Sequence, residues 1–230
     1  QMCIRDSSLG GYQEQLIEQL HQLGKPIITI LVQGRPYDLM KIESLTNAIA
    51  TAWFPGQEGG KAIAQMISGR NNPSGRLSLS YPINSQQLPV YYYQRAASKQ
   101  ENYYDLSGSP VYPFGHGLSY TTFEYSQMEV KTDIDKVIIS IKVKNTGSVS
   151  GKTSTLVYVR LIDGAVIQRT KLLKAFRKDK LQSQEERLLV FELTSEDFSY
   201  MDIDDKRHYA KKAVIIIEQQ EREIKCNWQE

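Results

Sequence analysis

The stretch Tyr112-Pro113-Phe114-Gly115-His116-Gly117-Leu118-Ser119-Tyr120-Thr121 joins two parts of the chain whose residue patterns differ. Pro113 restricts the backbone and removes a hydrogen-bond donor, whereas Gly115 and Gly117 allow backbone angles that other residues avoid. The aromatic side chains around them can anchor the turn against a neighbouring surface. We therefore predict a packed linker over residues 109–121, with a different domain on each side.

Charge density changes at this junction. Residues 1–118 hold 17 charged residues, and residues 119–230 hold 37. The length of 230 residues allows two domains, and a content of 40% hydrophobic and 23% charged residues is that of an ordinary globular protein. The two halves are thus expected to bury their apolar side chains in different ways.

The first half alternates helical and extended patterns. Residues 12–23 place leucine and isoleucine at helical spacing, and Gly24 supplies a stop. The continuous apolar run 26–32 predicts a strand covered on both faces in a parallel sheet. A second apolar segment, 48–54, precedes a helical pattern at 61–67. This order predicts an α/β layered sandwich domain over residues 1–108.

The second half changes to the period of a strand. Residues 136–144 alternate and stop at the turn signal Asn145-Thr146-Gly147. Further strands are predicted at 155–161, 187–193 and 213–218. Their spacing favours an all-β sandwich of immunoglobulin-like size over residues 122–230.

Several function classes find little support in the composition. The net charge of +2 does not call for nucleic acid, and the basic cluster from Lys171 to Lys180 is interpreted as a solvated strand and loop face opposite acidic neighbours. No apolar run has the ~18 residues that span a bilayer, so no membrane partner is expected. Cys3 and Cys226 give neither a disulfide framework nor a metal-ligand spacing, and no metal or cofactor is expected.

A series of short motifs, in fixed order, resembles one enzyme family over nearly the whole chain. The matching pieces are Gly11-Tyr12-Gln13, Gly24-Lys25-Pro26, Gly34-Arg35-Pro36, Trp53-Phe54-Pro55-Gly56-Gln57-Glu58-Gly59-Gly60, Asn72-Pro73-Ser74-Gly75-Arg76-Leu77, Tyr81-Pro82, Leu88-Pro89-Val90-Tyr91-Tyr92 and the junction itself. Together they resemble the C-terminal part of glycoside hydrolase family 3, of the β-glucosidase type. Downstream, residues 143–152, 172–176 and 191–194 resemble the fibronectin type III-like domain of many members.

The resemblance implies a retaining β-glycosidase that hydrolyses terminal non-reducing β-linked sugars. In that family an N-terminal barrel supplies an aspartate nucleophile, and the α/β domain supplies a glutamate acid/base. Neither catalytic residue is assigned in this chain. The barrel with the nucleophile is not part of it, and the glutamate is expected just before Leu9. Residues 1–7 match nothing expected there and are interpreted as foreign sequence, so the isolated fragment is expected to be inactive.

The same resemblance implies the partners and the compartment. The expected partners are a β-linked oligosaccharide or glycoside, the missing barrel domain and a second copy in a homodimer. A periplasmic or secreted location is suggested, and the choice between glucoside, xyloside and other sugars stays open.

Glu58, His116 and a loop that begins near Arg95 are candidate site residues, each with a structural alternative. Glu58 lies between Gln57 and two glycines at a helix start, where structural capping is the favoured interpretation. His116 could carry a proton, but no nucleophile is paired with it by motif, which favours a packed or hydrogen-bonded linker histidine. The polar, aromatic loop with Arg95, Tyr103, Tyr104 and Asp105 could reach a sugar, although a surface loop between domains is favoured.

Two alternative functions remain open at this point. The chain could be a stand-alone, non-catalytic carbohydrate-binding or interaction module. It could also be a nucleotide binder fused to a sandwich, but residues 57–60 lack both the Walker and the dinucleotide spacing.

Overall fold

The computed structural model describes residues 9–95 and 107–228. These residues fall into two compact units. The first contains residues 9–71, 77–91 and 107–114, and the second contains 72–76, 92–95 and 115–228. The chain enters the second unit for the last time between Phe114 and Gly115, inside the predicted junction, while the boundaries at 108 and 121 stay predictions.

The first unit is an α/β layer. Its elements are α1 (Gln13–His21), β1 (Ile28–Leu31), α2 (Met40–Glu43), β2 (Ala48–Thr51) and α3 (Gly59–Ile67). Strands β1 and β2 pair in parallel, from Ile28 opposite Ala48 to Leu31 opposite Thr51. The predicted order of helix, strand, strand and helix is confirmed, and the structure adds α2. After α1, Gly24 adopts φ = 62°, a left-handed angle that favours glycine and ends the helix.

The expectation that the first strand is covered on both faces is wrong for the described residues. Leu31 is buried, but Ile28 is 51% exposed and Val32 is 61% exposed. Only β2 pairs with β1 within the described part of the chain. The apolar run therefore lacks the coverage that its composition predicts.

The core of the first unit is small. It consists of the buried residues Leu9, Ile17, Leu31, Leu39, Ile42 and Tyr81. Ile17 is the buried residue of α1, and Ile42 is that of α2. These helices thus reach the same core from different parts of the sequence.

The second unit is a β-sandwich. One sheet has the order β3 (Phe123–Thr132), β4 (Lys136–Asn145) and β7 (Glu186–Thr194). The other has the order β11 (Gln220–Lys225), β10 (Lys212–Ile217), β5 (Gly151–Leu161) and β6 (Leu172–Leu181). A short hairpin pairs β8 (Ser199–Met201) with β9 (Arg207–Tyr209). All four predicted strands are confirmed, as β4, β5, β7 and β10.

The sandwich core follows from strict alternation along the strands. In β4, every second residue from Val137 to Val143 is fully buried. These side chains meet residues of the opposite sheet, such as Ile215 and Ile217, in one cluster. Full burial of each such side chain contributes about 1.5–3 kcal/mol. The sandwich therefore encloses its own core.

The outer face of the four-stranded sheet is also partly covered. Tyr158 and Ile216, opposite each other on β5 and β10, are 6% and 8% exposed. The ring of Tyr92 packs edge-on against Tyr158, with 6.2 Å between centroids. Gly115 lies close to Leu156 and Tyr158 on this face. A Cβ at Gly115 would be 2.9 Å from Leu156 Cδ1. Segments that precede the sandwich in sequence therefore form part of its structure.

Candidate functional site

The carboxyl ends of β1 and β2 form the first candidate site, because ligands of open parallel sheets bind at that edge. The Gln33 backbone N–H donates to the Trp53 carbonyl oxygen over 3.2 Å, which brings the two strand ends together. Trp53 adopts φ = 50°, a left-handed angle that is rare for a bulky side chain. Such strained residues concentrate at functional sites.

The loop after β1 approaches the loop after β2 closely. A Cβ on Gly34 would lie 2.7 Å from Phe54 Cζ, so a larger residue there would require the Phe54 ring to shift. Phe54 itself is 80% exposed. Nearby in sequence, the Arg35 guanidinium lies 5.3 Å from the centroid of the Tyr37 ring. Aromatic and cationic side chains therefore follow the end of β1.

A buried polar cluster lies behind these loops. The Gln33 amide nitrogen donates to the Tyr81 hydroxyl, whose oxygen lies 3.1 Å from Thr51 Oγ1. Gln33 is 4% exposed and Tyr81 is 1% exposed. Burial raises the pKa of Tyr81, so its hydroxyl stays protonated at neutral pH. The cluster is uncharged and orders the strand ends through hydrogen bonds.

One oxygen of this cluster has no partner among the described residues. Gln33 Oε1 is buried and accepts no hydrogen bond there. A buried oxygen without a donor costs about 1–3 kcal/mol, so the site suits a bound water or another donor.

Glu58 is at the predicted helix start, but its side chain does not cap the helix. It occupies the position before α3 and makes no capping hydrogen bond. Its carboxylate instead lies 3.4 Å from Lys61 Nζ, and both side chains are largely exposed. The expectation that the carboxylate caps free backbone N–H groups is therefore wrong, because it turns to a lysine one turn later.

The junction is held by Asn72 and Arg76 within the second unit. Asn72 Oδ1 accepts hydrogen bonds from Ser119 Oγ and the Tyr120 backbone N–H, each over 2.9 Å. Arg76 donates to the carbonyl oxygens of Gly115 and Gly117 over 3.3 and 3.4 Å. Two side chains thus fix the backbone on both sides of His116.

His116 is half-buried in this junction. Burial, and then the Arg76 charge, lower its pKa below the usual histidine value. The imidazole is therefore neutral at pH 7. A groove of about 490 Å³ beside the junction is lined by Arg76, Thr121 and Glu218, among others, and His116 does not line it.

The aromatic loop after residue 90 is only partly described. Tyr103, Tyr104 and Asp105 lie outside the described residues. Arg95 forms an isolated antiparallel bridge with Arg169 in the second unit. The Arg169 guanidinium also lies 4.9 Å from the Tyr93 ring centroid. The described part of this loop is therefore attached to the sandwich.

The basic cluster Lys171 to Lys180 forms most of β6. Acidic neighbours are present where Lys174 lies 4.0 Å from Asp197 and Arg177 lies 2.9 Å from Asp179. Lys178 and Lys180 instead face Ser154 and Lys152, so for them the expectation of acidic neighbours is wrong. Strand register, which the sequence does not state, decides which lysines are paired.

Residues 9–95 and 107–228 contain no group of three histidine, cysteine or acidic side chains placed to hold a metal ion. Within the same ranges, no helix has the length and apolarity to cross a bilayer. Cys226 is a free, buried thiol whose pKa burial raises to about 11.

The sequence did not single out the cluster of Gln33, Thr51 and Tyr81. The only signal was position, because Gln33 follows the first predicted strand and Thr51 lies within the second apolar segment. Tyr81 is 48 residues from Gln33. Contacts over that distance depend on the assembled fold.

Both units match known protein families. The family model for the glycosyl hydrolase family 3 C-terminal domain matches residues 4–120, and that for the fibronectin type III-like domain matches residues 154–218. A periplasmic β-glucosidase of Salmonella typhimurium is 36% identical over 202 residues, which are 82% of this chain and 26% of that protein. A β-xylosidase of Formosa agariphila is 34% identical over 209 residues, 88% of this chain and 29% of that protein.

Solved structures give the same result. The β-glucosidase of Listeria innocua, crystallised with isofagomine, superposes with a TM-score of 0.91 at 30% identity over 97% of this chain. A β-glucosidase of Erythrobacter marinus superposes with a TM-score of 0.91 at 36% identity. The chain spans only 34% and 31% of these two proteins. The chain belongs to glycosyl hydrolase family 3, of which it comprises the C-terminal α/β domain portion and the fibronectin type III-like domain.

Proposed function

We propose that the chain is the C-terminal part of a retaining β-glycosidase that hydrolyses terminal non-reducing β-linked sugars, with β-glucosidase-like specificity. The observation that carries the proposal is the family match through both units. The similar proteins bear the names β-glucosidase and β-xylosidase. A fold likeness alone would not support an activity, but family membership narrows the chemistry to glycoside hydrolysis.

The proposed chemistry needs two carboxyl groups. In a retaining glycosidase they lie about 5–5.5 Å apart, where one attacks the anomeric carbon and the other protonates the leaving oxygen. Water then releases the sugar from the enzyme. We propose that both groups lie upstream of Leu9, so the chain described here is inactive alone.

The role that this chain would play is to support the active site. The ends of β1 and β2, with the strained Trp53 and the buried Gln33 amide, give rigid loops at the edge where α/β sheets bind ligands. The missing barrel domain is the proposed partner of the α/β unit. Exposed apolar residues of that unit, including Ile28 and Val32, supply surface for further chain to cover.

The test compares the chain with the complete protein. The genomic DNA upstream of the Ser8 codon should encode, in frame, a barrel with an aspartate and a glutamate shortly before Leu9. The complete protein should hydrolyse an aryl β-glucoside or an aryl β-xyloside, with retention of configuration. The purified 230-residue chain should hydrolyse neither.

Two results would contradict the proposal. Hydrolysis by the pure chain would show that it contains its own catalytic groups. A complete protein that has the barrel but leaves both glycosides intact would show that the family activity has been lost. The acid/base Glu→Gln variant of the complete protein is the matched control, because it removes only the proton donor.

A further inference from the structure

Three lysines share the outer face of β5 and β6. In the antiparallel pairing of these strands, Lys152 lies opposite Lys180 and Ser154 lies opposite Lys178. Lys178 and Lys180 flank the buried Asp179, and Lys152 lies between the buried Gly151 and Thr153. Side chains alternate along a strand, so the three exposed lysines point away from the core. We call Lys152, Lys178, Lys180 and the neighbouring Phe176 the lysine face.

The lysine face has uncompensated charge. Like charges directly opposite each other in an antiparallel pair destabilise the sheet. No acidic side chain lies within 4.0 Å of any of the three ammonium groups in the described ranges 9–95 and 107–228. Asp179, although adjacent in sequence, is turned inward and bound by Arg177 and Arg187.

The other sheet of the sandwich shows what a compensated face contains. There, Lys136 lies 3.5 Å from Glu192, and Lys142 lies 3.3 Å from Glu186. Both are lysines on an outward face, as on β5 and β6, but each has a glutamate on the neighbouring strand. None of the three lysines of the lysine face has such a partner in the described part of the chain.

Phe176 makes this surface different from a protected sheet edge. Lysines on an edge strand prevent unwanted pairing with other strands. An exposed apolar ring has the opposite effect, and Phe176 is 70% exposed on the edge strand β6. It lies opposite the partly buried Leu156 on the same face. Protection of the sheet edge explains the lysines but does not account for the exposed ring of Phe176.

We propose that the lysine face binds an acidic polysaccharide. Its carboxylates would pair with Lys152, Lys178 and Lys180, while one sugar ring would stack its C–H face on Phe176. Charge complementarity selects a polyanion. Proteins that bind single-stranded nucleic acid stack successive bases on several aromatic rings, and this face has one. The choice of a sugar polymer rests on the proposed glycosidase function, whereas the binding itself needs no hydrolysis.

The experiment measures binding of the 230-residue chain to three soluble polymers. Polygalacturonate is the acidic sugar probe, a neutral β-glucan is the uncharged sugar, and polyuridylate is the nucleic acid. We expect binding to polygalacturonate in dilute buffer that weakens as salt screens the charges. The Lys152→Ala/Lys178→Ala/Lys180→Ala variant should bind about tenfold or more weakly. Phe176→Ala should weaken binding about threefold, and to a similar extent at low and high salt.

The matched control is the Lys136→Ala/Lys142→Ala variant, which removes paired lysines from the other sheet and should bind polygalacturonate like the parent chain. Each single lysine variant gives the same comparison if the triple variant unfolds. The proposal is overturned if the parent chain does not bind polygalacturonate, if the lysine variants bind as tightly as the parent, if β-glucan binds equally well, or if polyuridylate binds more tightly. None of these readouts depends on glycoside hydrolysis, so the failure of either proposal can be recognised separately.

Discussion

In the β-sandwich, the inward residues of β4 from Val137 to Val143 are fully buried, whereas on α1 of the α/β unit Leu16 is 59% exposed and Leu20 is 40% exposed. The two units also differ in their sheets. Strands of the sandwich reach 11 residues and pair in sheets of three and four, while β1 and β2 have four residues each. A sheet of two short strands is marginal without further coverage.

This difference shows where each unit obtains its stability. The sandwich buries its apolar side chains between its own two sheets. The α/β unit has apolar residues that its own described elements leave exposed, in agreement with the proposed role as part of a larger domain. Removal of apolar surface from water stabilises the folded state in proportion to the area that is buried. Perturbations of the two units should therefore have unequal effects.

The largest effect is expected from a cavity in the sandwich core. Leu189 on β7 is fully buried, and Leu189→Ala should lower the free energy of unfolding by about 2–5 kcal/mol. The matched change Leu16→Ala on α1 should alter it by less than about 0.5 kcal/mol. Urea unfolding of the 230-residue chain measures the free energy of unfolding of both variants. Equal losses would mean that α1 is covered as well as the sandwich core is.

A smaller effect is expected from the polar cluster of the α/β unit. Tyr81→Phe removes the hydroxyl that contacts Gln33 and Thr51 and leaves the buried amide with no partner. The cost should be about 1–3 kcal/mol. Faster hydrogen exchange at β1 and β2, with β4 unchanged, would locate the loss. Tyr12→Phe, at an 80% exposed position, is the control and should change nothing.

A still smaller change in stability, but a clear change in surface, is expected on α1. Leu16→Glu with Leu20→Glu should reduce the binding of a dye that fluoresces on apolar surfaces, because both leucines are exposed. Gln15→Glu with Gln19→Glu adds the same charge at exposed positions of the same helix and should leave dye binding unchanged. If both variants lowered dye binding equally, charge rather than apolar surface would be responsible.

The smallest effect concerns pH at the β8–β9 hairpin. Asp202 accepts hydrogen bonds from the Lys206 and Asp204 backbone N–H groups and pairs with His208 Nε2 over 2.6 Å. The Lys206 N–H first, and then His208, lower the pKa of this carboxyl. Its contribution to stability is therefore complete above the unfolded pKa and is lost as pH falls through the folded pKa, below about pH 4.

Asp202→Asn tests this dependence. The variant should be less stable at neutral pH, and its thermal unfolding temperature should fall less than that of the parent below about pH 4. Asp204→Asn is the control, since that carboxylate makes none of these contacts. A parent and an Asp202 variant with parallel pH profiles would show that the hairpin does not depend on the charge.

The sequence predicted elements whose residues follow a single period. β4 alternates strictly and was found, and so were α1 and α3, which have apolar residues at helical spacing. β3 was not found, because a register shift between Ser126 and Glu129 interrupts its pattern. β6 was interpreted as a solvated strand and loop face without strand bounds, since its lysines obscure the alternation with buried Asp179 and Leu181.

The candidate sites were less predictable than the fold. The motif with Trp53 was visible, but its left-handed backbone and its contact with Gln33 depend on two strands that come together in space. Glu58 was placed correctly at a helix start, yet its partner is chosen by side-chain geometry. The lysine face required the register of β5 against β6. Each of these properties depends on which residues become neighbours, and one sequence without its fold does not specify that.

The buried thiol of Cys226 can report local unfolding of the sandwich. The reactive form of a cysteine is the thiolate, and burial that raises the pKa to about 11 keeps this sulfur protonated and shielded while the chain is folded. The thiol follows β11, the last strand, and its backbone N–H is bonded to the Lys211 carbonyl oxygen. In a Cys3→Ser variant, a thiol reagent could label only Cys226. The labelling rate would then measure how often β11 separates from β10.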